Sequence, residues 1–497
     1  MTQSHTVHDD VRLSTDSDFE TNDARREVVV IANRLPLRYS TSDVGGEWTP
    51  SPGGLVSALT AVLSESNGLW IGWPGATEYD TEPTYDGIRL QPVDISAEEY
   101  EEYYLGFSNA TLWPLYHDAI RYPEFHRSWW NAYQTVNERF AKVAAESVAP
   151  GGMVWVHDYQ LQLVPRMLRR LRPDVRIGFF LHIPFPAAEL FMQMPWRKEI
   201  LEGLLGADLI GFQVQTAAVN FSRIARRLTS AKGVSAELEY DGRKIRVGAF
   251  PISVDSAQIS AKVDDPAIRD RAREIRSELG DPEIVMLGVD RLDYTKGIRQ
   301  RIRALRELYA EGFLVPGRDV MVQIAVPSRE SDAHYDIARR NIEQTVGETN
   351  GDLGLVGKPV IHYIHKNLPF DELVALYLAA DVMLVTPFRD GMNLVAKEYV
   401  MARSDMTGRL VLSEFAGAAM ELTGAFMVNP HDLDGLKEVI RAAVSAPESK
   451  AKARMARMRR SVLGRTVYDW ADTFLGALRT GPVTAPLTVD EPRPPAS

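Results

Sequence analysis

Short apolar runs recur along the chain, each followed by a polar or glycine-rich turn. They are Val28–Ala32, Leu69–Trp73, Met153–Val156, Ile177–Leu181, Leu209–Phe212, Ile245–Phe250, Ile284–Val289, Val320–Val326, Val360–Ile364, Val382–Val385, Leu410–Leu412 and Phe426–Val428. The runs do not alternate apolar with polar, and β-branched residues are frequent in them. This is the pattern of strands covered on both faces. Helical spacing fills the stretches between, as at Trp129–Ser147, Leu161–Leu171, Glu189–Leu205, Thr216–Arg227 and Pro369–Ala380. Strands alternating with helices predict an α/β fold with parallel sheets. So many strands exceed one ordinary doubly wound sheet, so two Rossmann-like domains are expected. The boundary is expected near Asp255, where the AFPISVD run ends and a charged helical stretch, Asp264–Leu279, approaches. The expected division is 27–255, 256–465 and a helical segment, 466–480, packing at the domain junction. Two such domains in tandem predict a cleft, with ligands beyond the carboxyl ends of the strands.

The two ends read differently. Residues 1–26 are polar and acidic and lack the apolar surface that would offset ordering, so a disordered tail is expected. Residues 481–497 are rich in proline and read the same way. The N-terminus has no apolar segment of the kind a secretory signal needs. No run approaches the length of a membrane span, so no membrane partner is expected.

Composition narrows the chemistry. The chain of 497 residues is 45% hydrophobic and 25% charged, as soluble globular proteins are. It has no cysteine, which excludes disulfide scaffolds, thiolate metal sites, iron–sulfur clusters and cysteine nucleophiles. That absence fits a cytoplasmic location. With 56 Lys and Arg against 67 Asp and Glu the net charge is -11, so nucleic acid and anionic membranes are poor partners. Small phosphorylated substrates remain open where basic side chains concentrate locally.

Such side chains stand where the apolar runs end. Arg34 follows the first run. His157, Asp158 and Tyr159 follow Met153–Val156, and His182 follows Ile177–Leu181. Arg291 and Lys296 follow Ile284–Val289 and are spaced to reach one diphosphate, Arg by its fork and Lys as a point charge. Arg329 follows Val320–Val326. After Val382–Val385, the sequence Asp390-Gly391-Met392-Asn393 opens a helix whose N-terminus suits an anion. Glu398 lies about two turns further along the same face and suits a ribose diol. Gly53-Gly54 also precedes a helical run, but it is not a G-x-G-x-x-G dinucleotide fingerprint. Taken singly, Arg34 reads as well as a surface arginine, His182 as a structural histidine and Gly53-Gly54 as a flexible loop. The segment Tyr100–Tyr133 is unusually aromatic, with core packing expected for most of it and ligand contact for one or two rings. No metal-binding motif is read from these strand ends.

The strings NRLP, YYLGFSNATLWP, VWVHDYQL, GFFLHIPFP, GVDRLDYTKGI, VPSRE and TPFRDGMNLVAKEYV resemble the trehalose-6-phosphate synthases from about Val28 to Leu478. These are retaining glycosyltransferases of GT-B architecture. The resemblance implies a C-terminal domain holding a nucleotide-sugar donor, UDP-glucose or else ADP- or GDP-glucose. Arg291 and Lys296 would hold its diphosphate and Glu398 its ribose. The Leu394 and Val395 backbone would touch it, and the Gly53-Gly54 loop would close over it. Asp390, Gly391, Met392 and Asn393 would hold the donor glucose, and His182 would touch it near the reacting centre. In the N-terminal domain, Arg34, Tyr104 and Trp113, together with Arg329, would hold the phosphate of glucose 6-phosphate, and Asp158 its sugar hydroxyls. Leu368 departs from relatives that carry Phe beside the base, which bears on base selectivity. The family further implies no required cofactor or metal, same-face transfer, a homotetramer and a separate trehalose-phosphate phosphatase downstream.

Two other functions fit part of this pattern. A non-catalytic subunit of the same fold would have lost site charges, whereas Arg34, Asp158, Arg291, Lys296, Asp390 and Glu398 are all present. A related glycosyltransferase acting on glycerol phosphate or a polymer differs only in its acceptor. A nicotinamide dehydrogenase fits least.

Overall fold

The computed structural model describes residues 25–42, 45–50, 56, 59–60, 63–64, 66–76, 79, 84–85, 87–329 and 333–480. The two expected tails, beyond Arg25 and Arg26, and the Gly53-Gly54 pair lie outside the described residues. The chain forms two compact units. The first takes the described residues up to Tyr116, Arg121–Ala249 and the helix residues from Ala471; the second takes His117–Ile120 and Phe250–Trp470. The main-chain passage between them falls inside the AFPISVD run.

In the first unit the strands are β1 (Arg26–Arg34), β2 (Leu37–Ser42), β3 (Gly45–Pro50), β4 (Leu69–Trp73), β5 (Thr84–Tyr85), β6 (Ile88–Pro92), β7 (Val148–His157), β8 (Arg176–Leu181), β9 (Leu209–Phe212), β10 (Lys232–Val234), β11 (Glu237–Tyr240) and β12 (Arg243–Ala249). Ten of them form one sheet in the order β10-β11-β12-β9-β8-β7-β1-β4-β6-β5, and β2 and β3 pair as a separate hairpin. The central pairs are parallel, with Val29 opposite both Leu69 and Val154. Val29, Val30 and Ile31 are fully buried, as are Val154, Trp155 and Val156. That double coverage is why these strands read as unbroken apolar runs. The chain starts at β1, builds outward to β6, then returns to β7 on the other side of β1. The carboxyl ends of β1 and β7 therefore flank the topological switch point, where open α/β sheets bind ligands.

The second unit carries β13 (Ile284–Arg291), β14 (Asp319–Val326), β15 (Ile361–Ile364), β16 (Val382–Val385), β17 (Arg409–Ser413) and β18 (Phe426–Val428), all parallel, in the order β15-β14-β13-β16-β17-β18. Its switch point lies between β13 and β16. Met286, Met321, Val382, Leu384 and Val411 pack with Ile302, Leu305 and Leu308 of the helix Ile298–Ala310 in one buried cluster.

All twelve apolar runs are strands. Differences from the sequence reading have local causes. The expected helix Glu189–Leu205 is two pieces, Ala188–Phe191 and Arg197–Leu204, because Pro195 lies between them. The aromatic stretch Tyr100–Leu112 is a π-helix, a rare form that concentrates at functional sites.

Candidate active site

At the first unit's switch point, β1 ends in Arg34. Its guanidinium lies over the rings of Trp73, 4.4 Å from the centroid, and Tyr104, at 5.4 Å. Tyr104 stacks on Tyr100 within the π-helix. Cation–π contact fixes the direction of the planar group without consuming its N–H donors, which suits it to a phosphate. The neighbouring Asn33 is buried and accepts a 2.8 Å hydrogen bond from Tyr103 Oη. Trp113 is only 3% exposed and packs 5.6 Å from Tyr159.

β7 ends in His157, and the next residue, Asp158, has φ 72° and ψ 172°. Only glycine visits that region easily, and a side chain there costs about 1–3 kcal/mol. The Asp158 N–H donates to the Phe180 carbonyl at 2.8 Å, and Oδ1 accepts from the His182 N–H at 3.2 Å. The Asp158 carboxylate is thus tied to the main chain of His182 across the ends of β7 and β8. The rings of His157 and His182 stack 5.3 Å apart, with His157 Nδ1 3.0 Å from His182 Nε2. One proton serves that contact, so at least the ring that accepts it is neutral when it forms. Burial pushes His182 down to about 3, and burial together with His182 holds His157 well below the usual histidine range.

In the second unit, β13 leads through exposed Arg291 into a short turn, Tyr294–Lys296. Lys296 Nζ donates to Asp390 Oδ2 at 2.6 Å, with the two side chains 10% and 14% exposed. Burial pushes the Asp390 carboxyl up, but Lys296, Asn393 and His117 hold it below its ordinary value. Asn393, at φ 80°, donates through Nδ2 to Asp390 Oδ2 and accepts the Ala396 N–H through Oδ1, so it caps the helix Leu394–Ala402. The first-turn amides of Leu394 and Val395 find no partner within the helix and present its positive end. Gly391 and Met392 are buried, and the Met392 carbonyl accepts from the Ala418 N–H at 2.8 Å. Further along the helix, Glu398 accepts from Tyr377 Oη at 2.8 Å, and burial pushes its carboxyl up. Leu368, 9% exposed, lies in the loop after β15.

Arg329 has φ 51° and does not extend alone from β14. It donates to Tyr335 Oη and lies 3.6 Å from Asp293 Oδ2. Three cations, Arg291, Lys296 and Arg329, act on two carboxylates, Asp293 and Asp390. The local excess is positive in a chain whose net charge is -11.

One functional candidate escaped the sequence reading. Arg301 is fully buried beneath this turn. It donates to Asp290 Oδ2 at 2.7 Å, Gln323 Oε1 at 2.8 Å and Thr386 Oγ1 at 3.0 Å, tying the ends of β13 and β16 to the middle of β14. A side chain at Gly288 would overlap its guanidinium. Gly297, at φ 65°, lets the chain turn from Lys296 into the helix against the Thr386 carbonyl. The available signal was an arginine between Ile298 and Ile302 on an otherwise apolar helix stripe.

The structure thus brings Lys296, Asp390, Gly391, Asn393, Leu394 and Val395 together in one unit, and Arg34 with Tyr104 and Asp158 with His182 in the other. Among the described residues no three His, Asp or Glu side chains form a metal-ligand group, and no helix is long and apolar enough to cross a membrane.

The glycosyltransferase family 20 profile matches residues 26–480. A trehalose-6-phosphate synthase of Mycolicibacterium smegmatis is 55% identical over 477 residues, 94% of this chain and 95% of that protein. A UDP-forming α,α-trehalose-phosphate synthase from Burkholderia xenovorans, solved in complex with glucose-6-phosphate, superposes with a TM-score of 0.83 at 33% identity, covering 91% of this chain and 99% of that one. A structure from E. coli bound with UDP-2-fluoro glucose gives 0.84 at 32% identity over the same shares, 91% and 99%. With its two doubly wound units of GT-B type, this chain belongs to glycosyltransferase family 20, as a member of the trehalose-6-phosphate synthases.

Proposed function

We propose that the chain transfers glucose from UDP-glucose to the anomeric hydroxyl of glucose 6-phosphate, giving α,α-trehalose 6-phosphate and UDP with retention of configuration. The observation that carries this reading is the buried Lys296–Asp390 pair beside exposed Arg291 and the N-terminus of the helix Leu394–Ala402. The relatives bound to glucose-6-phosphate and to UDP-2-fluoro glucose support the two substrates.

Breaking the glycosidic bond places negative charge on the leaving diphosphate. Lys296 and the amides of Leu394 and Val395 are donors held in place before the reaction, with exposed Arg291 beside them, so little reorganisation is needed as that charge develops. Glu398 takes the ribose diol, and Leu368 lies beside the base. Asp390, Gly391, Met392 and Asn393 hold the transferred glucose. Asp390 is engaged by Lys296 and Asn393, which favours a hydrogen-bonding role over that of a nucleophile. Same-face attack follows, with the departing phosphate oxygen accepting the acceptor's proton. His182, neutral at pH 7, serves as a hydrogen-bonding partner of the glucose, not as an acid. Arg34, Tyr104, Trp113 and Arg329 hold the acceptor phosphate, and Asp158 its sugar hydroxyls.

The same cations would serve ADP- or GDP-glucose, because they act on the diphosphate and not on the base. A donor panel of UDP-, ADP- and GDP-glucose with glucose 6-phosphate, reading product and kcat/KM, tests this. The expected result is trehalose 6-phosphate with UDP-glucose preferred. No disaccharide phosphate from any donor would refute the reading.

A further inference from the structure

Asp293 is 1% exposed and its two oxygens face different tasks. Oδ1 accepts from the Thr295 N–H at 2.9 Å and from Thr295 Oγ1 at 2.8 Å, which caps the turn that carries Lys296. Its carbonyl accepts the Lys296 N–H at 3.1 Å. Oδ2 accepts from Tyr335 Oη at 2.9 Å and lies 3.6 Å from the Arg329 guanidinium, which itself donates to Tyr335 Oη. Arg329 also lies over the Tyr335 ring, 5.3 Å from its centroid. Tyr335, 1% exposed, is a wedge between cation and carboxylate. Although burial alone would raise the Asp293 carboxyl, Arg329, Arg291 and Lys296 hold it at about 2, so it is ionised throughout the working range.

We infer that Asp293 is a positioning residue that aims Arg329 at the acceptor phosphate while holding the Lys296 turn for the donor diphosphate, so that both substrates are read through one carboxylate. The inference rests on the reading of Arg329 as a phosphate-binding cation. The physical reason is orientation. An arginine with four rotatable bonds and a left-handed backbone has many directions open to it; the Asp293–Tyr335 pair selects one before substrate arrives. Because the other carboxylate oxygen is committed to Thr295, Arg329 cannot move without disturbing the turn that presents Lys296.

The test is a cycle of variants assayed for KM of each substrate and kcat. D293N preserves an oxygen for Thr295 but turns an amide donor towards Tyr335 Oη and Arg329. It is expected to raise the KM for glucose 6-phosphate by about tenfold, the scale of one charge-assisted hydrogen bond, with the KM for UDP-glucose within about twofold of wild type. In the R329A background the same substitution should add nothing to the glucose 6-phosphate KM. An equal rise in both backgrounds, or no rise in the wild type, overturns the inference. R329A alone separates the two ideas: an unchanged glucose 6-phosphate KM removes the phosphate role of Arg329, and the inference with it. Tyr335→Phe keeps the carboxylate and serves where D293N does not fold. A rise of about threefold, again absent in R329A, is expected from loss of a neutral hydroxyl, and no rise overturns the inference.

Discussion

Lys296 and Asp390 meet across the second sheet's switch point, Nζ to Oδ2 at 2.6 Å, the first from the turn after β13 and the second from the loop after β16. The pair neutralises a buried carboxylate and at the same time fixes an ammonium next to a helix N-terminus. Replacing either partner therefore has two separable effects.

Lys296→Ala should lower kcat/KM by about a hundredfold, the scale of losing one oriented charge-stabilising donor. It should also lower unfolding free energy by on the order of 3 kcal/mol, because Asp390 is left buried without its counter-ion. Arg291→Ala should match the first loss without the second, since Arg291 is exposed. Steady-state kinetics and urea unfolding of both variants check the pairing, and near-normal turnover in either would remove it from the diphosphate site.

Arg34 owes its direction to Trp73 and Tyr104. Arg34→Lys keeps the charge but loses the flat face that stacks and the fork that grips phosphate. The KM for glucose 6-phosphate should rise by about tenfold to a hundredfold while the KM for the donor stays put. Isothermal titration with glucose 6-phosphate checks this independently of turnover.

Most of the strands were legible because they are covered on both faces and so are written as apolar runs, as in β4, β9 and β16. The hairpin strands were not. β10 (Lys232–Val234) is exposed along its length, and β11 (Glu237–Tyr240) alternates buried with open positions over only four residues. The candidate site was legible where chemistry sits at a strand end in sequence, as with Arg34, Asp158, Lys296 and Asp390. What lay beyond reach was pairing through space. Nothing in the spacing ties Arg301 to Asp290, Gln323 and Thr386, and nothing local shows that Arg329 shares Asp293 with Tyr335. Those contacts are set by the order in which strands lie in the sheet, not by their order in the chain.

Arg301 makes a prediction of its own. Arg301→Lys retains a charge for Asp290 but cannot also reach Gln323 and Thr386 in a fork. If it positions the Lys296 turn, kcat should fall by about tenfold with donor KM changed by less than about twofold, a split that loss of folded protein alone would not produce. Equal changes in both constants would reduce Arg301 to a structural residue.

The histidine pair predicts a pH dependence. His182 titrates near 3 in the folded chain and near 6.5 when unfolded, so between those values the unfolded state binds more protons. Stability from this group is complete above pH 6.5 and is lost as pH falls towards 3, at up to about 1.4 kcal/mol per pH unit for one proton. His182→Gln should flatten the loss between pH 6.5 and 4.5 by up to that amount. Urea unfolding at several pH values checks it, and an unchanged slope would mean that His182 titrates normally in the fold.

All of these roles depend on one proposed reaction, the joining of two sugars at their anomeric carbons with retention. Purified protein, UDP-glucose and glucose 6-phosphate, followed by proton NMR, measure it directly. Two α-anomeric signals from a newly formed α,α-1,1 disaccharide phosphate are expected, with UDP released in equal amount. A β-linked product, or UDP release with free glucose and no disaccharide, would contradict it.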